Sequence, residues 1–220
     1  NWFRGTLSRQ LSMRLQKLNV TTTVNDTPES ITAAFQAYLK ACEARRAKRL
    51  ASFTANSPEI VFTKFRTLRP SFFAYTEGAS DARAECNYIA GGTLSKIKMN
   101  GIWAEEETLM TDEDGVYRDP NLHFDGQHLL FSWKKSAKED DFHLYEMDLK
   151  TRDIKQLTFG KGHADIEGIY LPDENILFNS TRCGSAVDCW FTEVSNMYLC
   201  DREGRYMRQV GFDQVHTVTP

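Results

Sequence analysis

Five polar residues lie where one sequence unit ends and the next begins: Arg118, Asp119, His163, Asp165 and His216. Carboxylates and imidazoles that converge can hold a divalent metal ion, so we regard these residues as a candidate binding site. The same groups can instead cap strand ends and bond to neighbouring units, as buried polar groups must. His163 and His216 occupy nearly matching positions of a repeat, which favours the structural interpretation.

Motifs for other chemistry are missing from the sequence. It contains no GxSxG, Walker or HExxH pattern, and each of these would mark a specific catalytic site. No CxxC or CxxCH occurs either, so we expect neither a zinc ribbon nor an attached haem within this segment. The acidic runs 105–107 and 112–114 lack EF-hand spacing and are typical of a solvated face. A divalent metal ion bound by the five residues named first is therefore the only cofactor that we consider for this segment.

Composition sets broad limits on the partners. The 220 residues carry a formal net charge of −3, which gives no global electrostatic reason to expect nucleic acid as a partner. No apolar run reaches the roughly 18 residues that a membrane span needs. The chain begins at Asn1 without an apolar signal-peptide core, and we expect a mature or excised segment.

The elements that must position the candidate site come from an internal repeat. Residues 119–133 resemble 165–180, and 143–160 resemble 196–213. Self-similarity at roughly 45–50 residues, with about four short strands per unit, is typical of a β-propeller blade. We predict blades at about 53–114, 116–160 and 164–212, with the start of another at 216. Three blades cannot close a ring, because propellers use about 4–8.

Two segments precede the predicted blades. Residues 1–27 form an N-terminal arm in which leucines at helical spacing permit a short helix. Residues 28–52 form the clearest helix: Thr27 suits the N-cap, Pro28 the first turn, and one apolar stripe follows. The basic end 45–50 complements the negative pole of the helix, and we interpret it as a solvated face.

The long insertions all fall on one face of the predicted blades. They are the loops 69–92, 134–141 and 181–195, each between the second and third strands of its unit. Insertions on one face of a repeat array usually mark the binding surface. Within the loop 181–195, Cys183 and Cys189 flank the short segment 184–188 at a spacing that permits a disulfide, which favours an oxidising compartment. The pairing of the other cysteines, Cys42, Cys86 and Cys200, stays open.

The blade sequences resemble a known family. The strings 119-DPNLHFDGQHLLFSWKK-135, 143-HLYEMDLKTRDIKQLTFG-160, 170-YLPDENILFNSTRC-183 and 196-NMYLCDREGRYMRQVGF-212 are similar to the N-terminal β-propeller of hydrazine synthase alpha-subunit-like proteins, which are large secreted bacterial proteins related to TolB-type propellers. The resemblance implies a propeller fold and a periplasmic or extracellular location. In that family the haem chemistry belongs to later domains. The turn 173–175 departs from the pattern, because a glycine usually makes it.

These observations predict an all-β partial propeller of about three four-stranded antiparallel blades, preceded by an α-helix. We expect a non-catalytic interaction or scaffold module of a larger secreted bacterial protein, which needs further blades or a partner chain to complete the ring. A protein or glycan ligand would bind the insertion face. The alternative is a propeller enzyme that cleaves polysaccharide at a channel metal, as oligogalacturonate lyases do. That alternative would use the five residues named first.

Overall fold

The computed structural model describes residues 2–56, 59–66, 88–138, 140–188, 192–217 and 220. Its contacts divide the chain into two compact units. One unit combines residues 1–60 with the segment 97–105, and the other combines 61–96 with 106–220. No helix within the described residues is long and apolar enough to span a membrane.

The first unit contains two helices, α1 (Trp2–Lys17) and α2 (Pro28–Asn56). The N-terminus of α2 is capped as predicted, because the Thr27 hydroxyl accepts a hydrogen bond from the N–H of Ser30 at 3.3 Å. Leu11 and Leu15 of α1 are buried against α2. The predicted stripe of α2 is only partly used, since Phe35 in its centre is 46% exposed.

Three antiparallel sheets follow, which we label A, B and C in chain order. Sheet A consists of β1 (Glu59–Phe65), β2 (Gly92–Asn100) and β3 (Trp103–Asp112). It has three strands within the described residues, where the repeat predicted four. Residues 53–56, with which the predicted first blade begins, continue α2 as helix.

Sheets B and C have the predicted four strands each, in simple up-and-down order. Sheet B contains β4 (Val116–Leu122), β5 (His128–Lys134), β6 (His143–Asp148) and β7 (Ile154–Gln156). Sheet C contains β8 (Asp165–Tyr170), β9 (Ile176–Ser180), β10 (Asn196–Cys200) and β11 (Arg208–Gln209). Tyr145 pairs with Gln156 in B, and Tyr198 pairs with Gln209 in C. The structure therefore confirms the repeat alignment at these positions.

The sheets are stacked through apolar faces. One face of sheet B packs on sheet A through a cluster that includes Phe131 and Leu94. Its other face, with Leu130 and Leu144, packs on sheet C. Gly168 of β8 permits this close approach, because a Cβ there would lie 2.8 Å from a methyl group of Leu130. The three sheets do not close a ring within the described residues.

The turn that departs from the family pattern keeps the conformation of a glycine turn. In the β4–β5 hairpin Gly126 has a φ of +68°, and in the β8–β9 hairpin Glu174 has a φ of +65°. The left-handed region costs a non-glycine residue roughly 1–2 kcal/mol. Asp173 helps to hold this turn by accepting a hydrogen bond from the N–H of Asn175 at 3.2 Å.

Candidate functional site

The first strands of sheets B and C are bulged at the same place. The pairing of β4 with β5 shifts between Arg118 and Asn121, and that of β8 with β9 shifts between Ile166 and Ile169. An acidic residue in the left-handed conformation lies in each bulge, Asp119 with a φ of 54° in β4 and Glu167 with 56° in β8. Such backbone is strained for a residue with a Cβ, and bulges redirect side chains.

The two bulges bring two carboxylates to one arginine. The Arg118 guanidinium donates through Nε to Asp119 Oδ2 at 2.5 Å and through Nη2 to Glu167 Oε1 at 3.3 Å. It also donates to the hydroxyl of Tyr88 at 2.7 Å. Asn179 of β9 donates to the second oxygen of Glu167 at 2.7 Å. We call Tyr88, Arg118, Asp119, Glu167 and Asn179 the bulge network.

Burial shifts the pKa values of the charged groups in the bulge network. It raises the pKa of Asp119, an effect that Arg118 opposes and Glu167 reinforces. Burial alone would lower the pKa of Arg118, but Tyr88, Asp119 and Glu167 outweigh it and raise that pKa. One cation thus faces two carboxylates. The arrangement ties the first strand of sheet B to that of sheet C, and it leaves Asp119 easier to protonate than an exposed aspartate.

Asp165 belongs to a second network. Its side chain is fully buried, and the Arg182 guanidinium donates to both carboxylate oxygens, at 2.9 and 2.7 Å. The hydroxyl of Ser180 donates to the same carboxylate at 2.7 Å, and His143 Nδ1 lies 3.4 Å from it. Burial would raise the pKa of Asp165, but His143, Arg182 and Ser180 outweigh it and lower that pKa. The carboxylate is therefore an anion whose partners belong to the fold.

The two predicted histidines lie at different places. The His163 ring is 6.0 Å from that of His143, at the edge of the Asp165 network, and its Nε2 lies 3.2 Å from the carbonyl oxygen of Phe159. His216 accepts a hydrogen bond from the N–H of Ser195 at 3.4 Å, and burial lowers its pKa.

The five predicted residues are therefore distributed over three places. Arg118 and Asp119 come together, His163 and Asp165 are linked through His143, and His216 lies apart from these two networks. Within the described residues, none of the five belongs to a group of three metal-ligating side chains whose donor atoms converge within 4.8 Å.

Sequence reasoning missed the partners in both networks. Glu167 had a usable signal, because it lies in β8 where Asp119 lies in β4, 48 residues earlier. Arg182 and His143 gave no comparable signal, since their contacts with Asp165 depend on the pairing of distant segments. Tyr88 lies between β1 and β2 of sheet A and reaches Arg118 only in the folded chain.

The cysteine prediction finds no support in the structure. Cys42, Cys183 and Cys200 are free thiols, while Cys189, the predicted partner of Cys183, and Cys86 lie outside the described residues. Cys183 donates instead to the carbonyl oxygen of Val194 at 3.1 Å. Cys200 is a buried core thiol, and burial raises its pKa to about 12. The loop 69–92 also lies mostly outside the described residues.

Comparisons with known proteins find structural likeness alone. No family model matches the chain, and no curated protein matches it. TolB from Acinetobacter baumannii is similar with a TM-score of 0.41 and 21% identity, over 55% of this chain and 27% of that one. A putative TolB from Agrobacterium tumefaciens gives 0.40 and 17%, over 56% and 43%. A Mycobacterium tuberculosis puromycin-hydrolyzing peptidase gives 0.44 and 9%, over 72% and 21%.

The chain thus spans less than half the length of each of these proteins. At such TM-scores the likeness carries no argument about activity. The resemblance to hydrazine synthase alpha-subunit-like proteins stays a prediction from sequence. The functional argument for this chain rests on its own geometry.

Proposed function

We propose that sheets A, B and C are consecutive blades of a β-propeller that serves as an interaction module of a larger secreted protein. The observation that carries this proposal is the outward face of sheet C, which faces away from sheet B. On that face, sheet C carries apolar residues at the positions equivalent to those of sheet B that sheet C covers. An apolar face of this kind is suited to bind another sheet.

The repeat identifies the matching positions. The register places Leu130, Leu144 and Leu157 of sheet B on the face that sheet C covers, and these side chains are at most 2% exposed. Their counterparts in sheet C are Leu177, Met197 and Val210, on the basis of the equivalent strand pairing. Leu177 and Met197 are half-buried, and Val210 is 42% exposed.

The proposed occupant of the outward face of sheet C is one more four-stranded antiparallel sheet of the same kind. The argument is one of shape and chemistry: sheet C covers Leu130, Leu144 and Leu157, so a similar sheet fits Leu177, Met197 and Val210. Such a sheet can come from the same polypeptide or from a partner chain, and both satisfy the proposal. A periplasmic or extracellular location accompanies this proposal as part of the resemblance.

The ionisable groups near the first strands support a binding role over a catalytic one. Asp165 is neutralised by Arg182, and Asp119 and Glu167 share Arg118. Groups paired in this way stabilise strand geometry, whereas catalytic groups are held ready for a substrate.

Dye binding tests the interaction module. The purified protein should bind an apolar dye such as anilinonaphthalene sulfonate at the outward face of sheet C, and Leu177→Lys should reduce the fluorescence several-fold. Lys155→Glu, at an exposed position of β7, is the matched control and should leave it unchanged. The unaltered protein and both variants must also unfold cooperatively, because partly folded states bind the dye as well. Equal fluorescence from Leu177→Lys would count against an apolar binding face.

The second candidate function is an enzyme with its site at the bulge network. It is favoured by one observation: two acidic residues in strained backbone lie beside each other, and burial raises the pKa of one of them. Polysaccharide is the proposed substrate class. Asp119→Asn with Glu167→Gln should abolish glycan cleavage if this candidate holds, while unchanged cleavage, or none from the unaltered protein, would remove it.

A further inference from the structure

A histidine–aspartate–histidine cluster lies on the turn between β4 and β5, separate from both networks described above. The N–H of His123 donates to the carbonyl oxygen of His128 at 2.9 Å, which closes the hairpin. Asp125 Oδ1 accepts hydrogen bonds from the N–H groups of Gln127 at 2.7 Å and His128 at 3.1 Å. The backbone thus fixes the two histidines opposite each other, with the aspartate between them.

The donor atoms of the three side chains converge. Asp125 Oδ2 lies 2.9 Å from His123 Nδ1 and 2.6 Å from His128 Nδ1. One ligating atom from each residue lies within 4.8 Å of the others. Zinc bonds of about 2.0–2.2 Å in a tetrahedron place ligand atoms about 3.3 Å apart. Small side-chain rotations therefore suffice to place an ion between them.

His123 has polar neighbours at both ring nitrogens. Its Nδ1 lies 3.2 Å from the backbone N of Asp125 and 2.9 Å from Asp125 Oδ2, and its Nε2 lies 3.2 Å from Glu174 Oε2. A metal ion would replace the direct contact between Nδ1 and the carboxylate, with a ring proton on Nε2 facing Glu174.

Each imidazole also has a carboxylate on its outer side. His123 Nε2 faces Glu174 from the β8–β9 hairpin, and His128 Nε2 lies 4.0 Å from Asp148 Oδ2. Metal-ligating histidines almost always donate their other ring N–H to a carboxylate or a carbonyl, which fixes the tautomer and the ring orientation. His123 has this outer arrangement, whereas Asp148 lies beyond hydrogen-bond distance of His128.

The surrounding charges permit a cation. Arg202 approaches Asp125 to 4.0 Å, but its guanidinium also pairs with Glu146 at 3.1 Å and Glu174 at 3.2 Å. The guanidinium is thus shared among three carboxylates, and the cluster holds more acidic than basic side chains around Asp125.

We propose that His123 Nδ1, His128 Nδ1 and Asp125 Oδ2 bind one divalent transition-metal ion, with Zn²⁺ as the preferred ion. Imidazole suits zinc, copper and nickel, whereas magnesium and calcium prefer oxygen ligands alone. Three protein ligands leave one tetrahedral position for water or for a group of a partner. Glu174, on the outer side of His123, connects this site on sheet B to a hairpin of sheet C.

Metal analysis of the purified 220-residue protein, without a histidine tag, tests the proposal. We expect one Zn²⁺ per chain after dialysis, and Co²⁺ should give the visible absorption of a tetrahedral complex. Asp125→Asn removes the anionic ligand but keeps an oxygen for the two turn hydrogen bonds. His128→Gln is the second variant. Each should weaken Zn²⁺ binding more than about a hundredfold, and Glu174→Gln should weaken it about 10–100-fold.

The matched control is His163→Ala combined with His216→Ala, which removes the two histidines of the originally predicted site. This control should retain the full metal content. Zn²⁺ should also raise the melting temperature of the unaltered protein and of the control, but not that of Asp125→Asn. The proposal is overturned if the unaltered protein takes up no Zn²⁺ or Co²⁺. It is equally overturned if Asp125→Asn and His128→Gln, both folded by circular dichroism, bind as tightly as the unaltered protein.

Discussion

Sheets B and C are two copies of one unit, and they differ most in the face that each turns away from sheet A. In sheet B this face lies beneath sheet C, and Leu144 at its centre is fully buried. In sheet C the same face carries Met197, which is half-buried, and Val210, which is 42% exposed.

The outward faces of sheets B and C therefore carry the same apolar pattern, although another sheet covers this face only in sheet B within the described residues. Antiparallel sheets with one solvated face usually alternate apolar and polar side chains. Sheet C instead carries apolar side chains on both faces: Phe178 and Tyr198 face sheet B, and Leu177 and Leu199 lie on the other side. Such a sequence is typical of a strand set with a neighbour on each face. This pattern supports the proposal that a further sheet packs on this face.

The largest expected effect concerns the ion pair that joins the fully buried Asp165 of sheet C to Arg182. Arg182→Ala would leave the fully buried carboxylate of Asp165 without its cation, and we expect a loss of about 3–5 kcal/mol in the free energy of unfolding. Arg205→Ala is the matched control, because Arg205 pairs with Asp201 at the surface and exposed pairs contribute little to stability. Urea denaturation measures both. Equal losses would show that Asp165 does not depend on Arg182.

The next prediction compares the two equivalent faces directly. Leu144→Ala should cost about 2–5 kcal/mol, because it opens a cavity beneath sheet C. Met197→Ala, at the counterpart position, should cost less than half as much while its face is uncovered, since water can occupy the space. Urea unfolding of both variants provides the comparison. A Met197→Ala loss as large as that of Leu144→Ala would mean that the outward face of sheet C is already covered.

The smallest effect concerns pH. The pKa of Asp165 is lowered in the folded protein, so its carboxylate stabilises the fold above the unfolded pKa of about 4, and this contribution disappears as pH falls through the folded value. Asp165→Asn should thus be less stable than the unaltered protein at pH 7, and the difference should shrink below about pH 4. Urea titrations at several pH values measure it. A difference that stays constant down to pH 3 would contradict this account.

Local patterns predicted the parts of the fold that depend on neighbouring residues. The Asp125–Gly126 hairpin, the capped start of α2 and the pairing of Tyr145 with Gln156 follow from turn chemistry, capping and the repeat. Helix α2 extends through residues 53–56, with which the predicted first blade begins, beyond the point where its apolar stripe weakens.

The candidate sites were predicted less well, because they depend on distant contacts. Arg118 and Asp119 were predicted as candidate residues and lie together, but the bulge that joins them to Glu167 has no sequence signature of its own. The proposed metal-binding cluster was visible as the short string 123-HFDGQH-128. It was overlooked because only the hairpin geometry shows that the two imidazoles flank Asp125.

Light scattering tests the central claim, that the outward face of sheet C is built to be covered. The purified 220-residue protein should associate as its concentration rises, because Leu177, Met197 and Val210 would find a substitute cover in a second copy. Leu177→Lys should shift the protein towards the monomer, and Lys155→Glu should not. A monodisperse, soluble monomer of the unaltered protein at all concentrations would contradict the claim.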